Sequence, residues 1–453
     1  MSRRALLFVE SNTSGTGRLF VAAARDLGFR PVLITTRPQK YAFLAEPGAP
    51  EVIEVKRIDE DELDALIRLR FANGAEVAGI TSSSEYFVAT AAALAARFAL
   101  AGPDASAVRA ARDKSHQRAA LAAAGLPTPE FRAVCSAVDA VAAAREIGFP
   151  VIVKPVAGSG SEGVRLCGTP ADAGSHAARL LTKAAESGAP RRVLVEEYVS
   201  GPEFSVEMFS GQVVGITRKH LGRPPFFVEA GHDFPAAVPD DVAAALLDTA
   251  VRGTELLGLG WGPLHWELRV KDGRAYPMEV NPRLAGGFIP ELVRHAHGID
   301  LVRETVRLVA GFPVALLVQR RAHASIRFLF TPHAGRLRAV LGFYEAVGRP
   351  HVEDVRLYRR RGDDLEVHGD FRDRVGHVIA CAKDADTAAL AAERARELVA
   401  LVVEAPAPPP QFSASSALSA PPRETRSSAM PADAPRPADE DVRVVVGAAE
   451  GAA

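Results

Sequence analysis

The sequence has little cysteine, little charge imbalance and no long apolar run, and each shortage removes a class of protein. Its three cysteines, Cys135, Cys167 and Cys381, stand far apart and form no C-x-x-C pair. That excludes a disulfide framework or a cysteine zinc site and fits a reducing compartment. A formal charge of −1 over 453 residues gives no reason to expect nucleic acid as a partner. No stretch approaches the ~20 apolar residues of a membrane helix. The apolar run after the N-terminal arginines is too short for a signal peptide. The expectation is a soluble, cytoplasmic protein without membrane association.

What is present is alternation of strand and helix. Residues 5–10, 31–35 and 77–81 read as strands, with helical patterns at 18–27 and 85–98, which predicts α/β architecture with a parallel sheet. The first loop carries Gly15 and Gly17 but no G-x-G-x-x-G, so a helix-starting turn explains it better than a dinucleotide site. Residues 109–124 read as one helix stopped by Gly125. A smaller α/β unit follows, with helices at 138–147 and 171–186 and strands at 150–155, 164–167 and 193–196. Longer strands begin at Glu203 (203–209, 212–218), and Gly231 to Pro235 reads as irregular. Helices at 300–311 and 385–402 and strands at 325–331 and 377–381 complete the pattern. From Glu404 the chain turns to Pro, Ala and Ser and is expected to be disordered, because it cannot bury enough apolar surface.

The stretch 264–290 reads as a hairpin followed by Gly286-Gly287. A two-residue Asp272-Gly273 turn would put Glu267 on the side of Met278 and Val280. A three-residue loop, Lys271 to Gly273, shifts the pairing by one residue. Trp266, Leu268 and Val270 then join Tyr276, Met278 and Val280 on an apolar face, leaving Glu267, Glu279, Asn281 and Arg283 on the other. The second register is preferred because its apolar pattern is cleaner. Two carboxylates and an amide are hard oxygen donors suited to magnesium. An adjacent arginine can meet phosphate or carboxylate with two parallel hydrogen bonds. Alone, an E-x-N-x-R would be an ordinary surface hairpin.

Upstream segments add weight. Lys154 ends the apolar strand VIVKP, before a loop rich in Gly and Ser from Val156 to Val164. Such a loop offers backbone N–H groups to phosphate, although no Lys-Ser/Thr follows its last glycine and it is not a Walker motif. Next come Glu196-Glu197-Tyr198-Val199 and then Glu203, a strand end and a carboxylate able to meet a purine edge and ribose hydroxyls. Each motif alone has a bland structural explanation: a hairpin loop, a surface lysine at Lys114, an acidic strand end.

Their order within about 170 residues resembles that of the ATP-grasp superfamily, over roughly residues 1 to 400. The resemblance implies a Rossmann-like domain at 1–104 and an ATP-grasp core at 105–320, with a lid subdomain at about 128–199. A C-terminal α+β part at 321–403 and the disordered tail at 404–453 complete the division. ATP would bind between the two α+β subdomains with Mg2+ or Mn2+. Lys114 and Lys154 resemble the phosphate-binding lysines, and Ser159, Gly160 and Gly163 the mobile loop. Glu196 to Val199 match the adenine hinge, Glu203 the ribose acid, and Glu267, Glu279 and Asn281 the metal ligands. Arg283 matches the arginine that meets the acyl phosphate, and Gly286-Gly287 lies where the acceptor binds. Arg218, with Lys219 and His220 beside it at a strand end, His232 and His265 are candidates for gripping substrate, His232 by acting near neutral pH.

Within the superfamily, 81–87, 101–129 and 279–290 look most like amino-acid and carboxylate–amine ligases. The implied activity joins a small carboxylate to an amine through an acyl phosphate. Carboxylation through carboxyphosphate and a non-catalytic ATP-binding module are the alternatives, and the resemblance also allows a homodimer.

Overall fold

The computed structural model describes residues 4–405 apart from Ser14, Ala75 and Ser159, so expected loop residue Ser159 and tail residues 406–453 lie outside the described residues. Four parallel strands lie side by side in the order Glu51–Glu54, Arg30–Thr35, Ala5–Val9, Val77–Thr81. The two central strands are almost wholly buried, as continuous apolar runs require of a parallel sheet covered on both faces. The edge strand Glu51–Glu54 exposes three of its four residues, so no apolar run announced it.

The stretch 109–125 is not one helix. Ala105–Ala110 ends, and Asp113 accepts hydrogen bonds from the N–H groups of Ser115 and His116, capping a new helix Lys114–Ala123. Lys114 therefore starts a helix, and its own N–H donates to the Val156 carbonyl at 2.8 Å. That bond ties the helix to the base of the glycine loop.

A four-stranded antiparallel sheet follows, in the order Phe131–Val134, Val193–Glu197, Val151–Pro155, Arg165–Cys167. Its period-2 pattern sorts the side chains. Val151, Val153, Val193 and Val195 pack under helices Ala137–Ile147 and Pro170–Ser187. Ile152, Lys154 and Glu196 face the opposite way, into the central cleft.

The other wall of the cleft is an eight-stranded sheet. Its order is Arg274–Asn281, Pro263–Lys271, Glu203–Phe209, Gln212–Leu221, Glu229–Phe234, His323–Phe330, Arg374–Ala382, Val352–Leu357. Trp266, Leu268 and Val280 pack in one buried cluster with Leu246 and Ala250 of helix Asp240–Leu256. Of the segment expected as irregular at Gly231 to Pro235, all but Pro235 falls within strand Glu229–Phe234, paired on both edges. The last helix stops at Leu398, and Ala400–Glu404 is a strand rather than its continuation. No helix of the described residues is long and apolar enough to cross a membrane.

The central hairpin differs from the preferred register in an instructive way. Its turn is the two-residue one, with Asp272 and Gly273 both left-handed (φ 52° and 69°) and Lys271 paired with Arg274. Tyr276 consequently opposes Arg269, and the apolar face carries Ala275 and Pro277 where Tyr276 and Met278 were expected. A β-bulge at Met278 then shifts the register by one. Beyond it Trp266 faces Val280, Glu267 faces Glu279 and His265 faces Asn281. The expected grouping of the carboxylates is present, reached through a bulge rather than a longer turn.

Candidate active site

A cavity between the two antiparallel sheets brings together residues from five segments. Its walls include Lys114, Lys154, Gly160, Glu196, Glu197, Tyr198, Val199, Glu203, Glu267, Glu279, Asn281 and Arg283. Gly163 does not reach this wall; it packs on Leu180 and Pro155, and its carbonyl is bonded to His176 at 2.8 Å.

Charge in the cavity is dense and matched. Lys114 Nζ lies 2.9 Å from Glu279 and donates to the Gly158 carbonyl at 3.1 Å. Lys154 pairs with Glu196, which also holds the fully buried Arg118 at 3.2 Å. Burial drives the Lys154 amine down to about 8, against the opposing pull of Glu196. Burial alone would raise the Glu196 carboxyl, but Lys154 and Arg118 outweigh it and hold the group ionised. Only a protonated Lys154 suits a triphosphate. The expected result is that kcat/KM for ATP falls as pH rises through about 8. The kcat profile should hold to higher pH, because bound phosphate favours the charged amine. Steady-state kinetics between pH 6.5 and 9.5 check this; a flat kcat/KM limb would mean that Lys154 is not the group met by the nucleotide.

This arrangement revises the expectation for Glu196. Its backbone is enclosed between neighbours Phe131 and Ile152, and its carboxylate is turned to Lys154 and Arg118. Any backbone contact to a base at this edge would therefore come from the residues after it. The Val199 carbonyl already accepts from Arg269 at 3.0 Å, and Arg269 lies over the stacked rings of Tyr198 and Phe227.

Beneath the carboxylates sits Lys219, one of the three residues expected at this strand end, where Arg218 was preferred. Lys219 Nζ meets Glu229 at 2.7 Å, Glu267 at 3.0 Å and Glu203 at 3.1 Å, almost completely buried. Burial would lower its pKa, but the three carboxylates outweigh that and push it well above the usual range. Arg218, proposed in its place, is exposed on the other face of the strand. Strand alternation allows only one of the two neighbours to face the cleft.

A second cavity of about 520 Å³ opens beside the first. Glu229, Glu267 and Arg283 line both. Its far wall comes from the parallel sheet, with Asn12, Ser82, Ser83 and Glu85, where open α/β sheets commonly bind ligands. Glu85 grips Arg283 with Nε at 2.8 Å and Nη2 at 2.5 Å, and Arg112 at 3.0 Å. Glu85 was missed, although its place just beyond a strand's carboxyl end was the available signal. Gly286 and Gly287 line this cavity too. Phe288, itself left-handed at φ 62°, stacks on Tyr358 and packs at a tilt against His377, anchoring the loop that carries the two glycines.

The two histidines divide. His265 lines the second cavity between Glu207 (3.0 Å) and Glu267 (3.1 Å). Burial lowers its pKa, yet Glu207 more than compensates and raises it to about 9, so the ring is cationic. His232 is fully buried against Gly287, and neither ring nitrogen has a hydrogen-bond partner. Burial holds it neutral with a pKa of about 3, which overturns the expectation that it titrates near neutral pH.

Glu267, Glu279 and Asn281 offer two carboxylates and an amide on one face, the hard oxygen donors magnesium prefers. Each carboxylate is matched by a lysine in this structure. Among the described residues, no group of three or more His, Cys, Asp or Glu is disposed to hold a metal by itself.

Comparison with known proteins agrees with this layout. Residues 147–291 match the ATP-grasp domain, and residues 327–404 match the L-amino acid ligase C-terminal domain 2. A Sinorhizobium fredii relative, "Uncharacterized protein y4rH", is 37% identical over 399 residues, covering 88% of this chain and 82% of the relative. Carnosine synthase 1 of Gallus gallus is 30% identical over 348 residues, covering 72% of this chain but 37% of that longer protein. The crystal structure of an L-amino acid ligase from Bacillus licheniformis superposes with a TM-score of 0.74 at 20% identity, covering 89% of this chain and all of that one. That last likeness speaks for the fold. The chain is a member of the ATP-grasp ligase family and carries an L-amino acid ligase C-terminal domain.

Proposed function

We propose that the protein joins a small carboxylate, of amino-acid type, to an amine at the expense of ATP, releasing ADP and phosphate. The observation that carries this reading is the shared wall of the two cavities. Glu229, Glu267 and Arg283 face a pocket with nucleotide-binding chemistry on one side and a small-molecule cavity on the other. A ligase needs such a junction, because the γ-phosphate must reach the carboxylate that it activates.

In this mechanism Lys114 and Lys154 bind the phosphates, and Tyr198 and Val199 border the base. Glu203 meets the ribose. The substrate carboxylate oxygen attacks the γ-phosphorus in line, ADP leaves, and an acyl phosphate results. The amine nitrogen then attacks the acyl carbon, phosphate leaves, and the nitrogen gives up its proton. Arg283 stabilises charge on the phosphoryl and tetrahedral oxygens, positioned by Glu85. Magnesium or manganese, held by Glu267, Glu279 and Asn281, would neutralise phosphate charge. The division into parts at 1–104, 105–320 and 321–403 belongs to the same proposal.

The test is phosphate release from Mg-ATP across amino acids, singly and in pairs, with product identified by mass. Release that requires two amino acids, with a condensed product, is expected. Release with bicarbonate and a single acceptor would replace the ligase reading with carboxylation. Tight ATP binding without release on any substrate would point to a binding module.

A further inference from the structure

The nucleotide pocket and the second cavity meet under the glycine loop, and a residue from the C-terminal part of the chain touches that loop. Phe371 opens a short 3-10 turn, Phe371–Asp373, and lines the second cavity together with Gly160 and Glu162. The loop backbone lies directly against its ring: a Cβ placed on Gly160 would stand 2.6 Å from Phe371 Cδ1.

Phe371 is 47% exposed, and the turn that presents it is firmly built. Asp373 accepts from the N–H groups of His368 (2.7 Å) and Gly369 (2.8 Å). Asp370 caps the turn through the Arg372 N–H at 3.0 Å. Both carboxylates are buried, and the Phe226 ring packs under Gly369. The stapled turn holds the ring out so that one part of its surface meets the loop. The residue it meets is Gly160, whose lack of a side chain and left-handed φ of 64° permit the approach.

We propose that Phe371 is the docking point of the glycine loop, and that this contact seals the junction of the two cavities against water. The sealing half rests on the ligase reading above. An acyl phosphate open to solvent is lost to water: its oxygen bonds to the acyl carbon, phosphate leaves, and the free carboxylate and a proton are returned. ATP is then consumed without product. Phe371 thus acts as a positioning residue that couples ATP use to ligation, from a part of the chain outside the nucleotide pocket.

Two measurements on full-length wild type, Phe371→Ala and Phe371→Leu test it. Hydrogen exchange of the 157–164 amides without ligand should be faster in Phe371→Ala and near wild type in Phe371→Leu. Phosphate and condensed product, measured together, should be equal in wild type and Phe371→Leu, with severalfold more phosphate than product in Phe371→Ala. Unchanged loop exchange in Phe371→Ala overturns the docking contact. Faster exchange with phosphate still equal to product overturns the seal. Absence of turnover in wild type sinks the ligase reading instead, and the exchange comparison still decides the contact.

Discussion

Arg283→Ala is expected to lower kcat by about 10²- to 10³-fold, the effect of removing one preorganised donor to a developing oxyanion. Arg283 lines both cavities, and its fork is pinned by Glu85 through two nitrogens while Nη1 donates to the Leu284 carbonyl. The guanidinium is therefore set in place by the protein, and in the proposed mechanism its charge acts where the acyl oxygens would lie. Arg283→Lys keeps the charge but loses the planar fork, so an intermediate loss is expected. Glu85→Gln should cost less than either, since it loosens the arginine without deleting it. Rates under saturating ATP separate these outcomes. An Arg283→Ala enzyme with unchanged kcat and raised KM would mean that the arginine binds ground state and transition state alike.

Glu196→Ala is expected to destabilise the fold by about 3–5 kcal/mol, because it strands two buried cations. Arg118 has no exposed surface and Lys154 is 5% exposed; Glu196 is the carboxylate paired with both. Arg118 retains its bond to the Met278 carbonyl, but its Nη1 already lacks a partner, so there is no spare acceptor to take over. Glu196→Gln keeps the volume and one acceptor and should fall between. Urea unfolding followed by tryptophan fluorescence measures this. A midpoint equal to wild type would show that water reaches the pair and that the cluster is not dry.

The chain's class and branch were legible because they rest on local chemistry. VIVKP before a Gly/Ser loop, Glu196-Glu197-Tyr198-Val199, and Glu279-Val-Asn281-Pro-Arg283 each combine a strand pattern with polar residues at its end. Their order along the chain identified the superfamily, and the domain matches at 147–291 and 327–404 bear that out. Less legible were elements with weak patterning, such as Glu51–Glu54 and the break at Asp113, where a cap rather than an apolar gap ends the helix run.

Which side chains face the cleft was decided by two bulges. Counted from the Ser210-Gly211 turn, Arg218 would stand opposite Glu203. Val214 is left unpaired, however, and Lys219 takes that place. Counted from Asp272-Gly273, Glu267 would stand opposite Met278; Met278 is left unpaired, and Glu279 takes that place. Gly215 and Pro277 stand beside Val214 and Met278 and are residue types that can mark a bulge, but neither says which residue is left unpaired. Both bulges lie in one eight-stranded sheet, one in its edge strand Arg274–Asn281 and one in the inner strand Gln212–Leu221, where packing of the assembled sheet fixes the register. Glu85 and Phe371 belong to the same category, reaching the site from 198 residues before Arg283 and from well beyond it. The sequence by itself determined the strongly patterned strands, the loop and the inventory of charged groups, because period and turn chemistry are local. The tertiary structure decided which of those groups meet, because a one-residue shift reverses a strand's faces and only the assembled sheet pays the cost of a bulge.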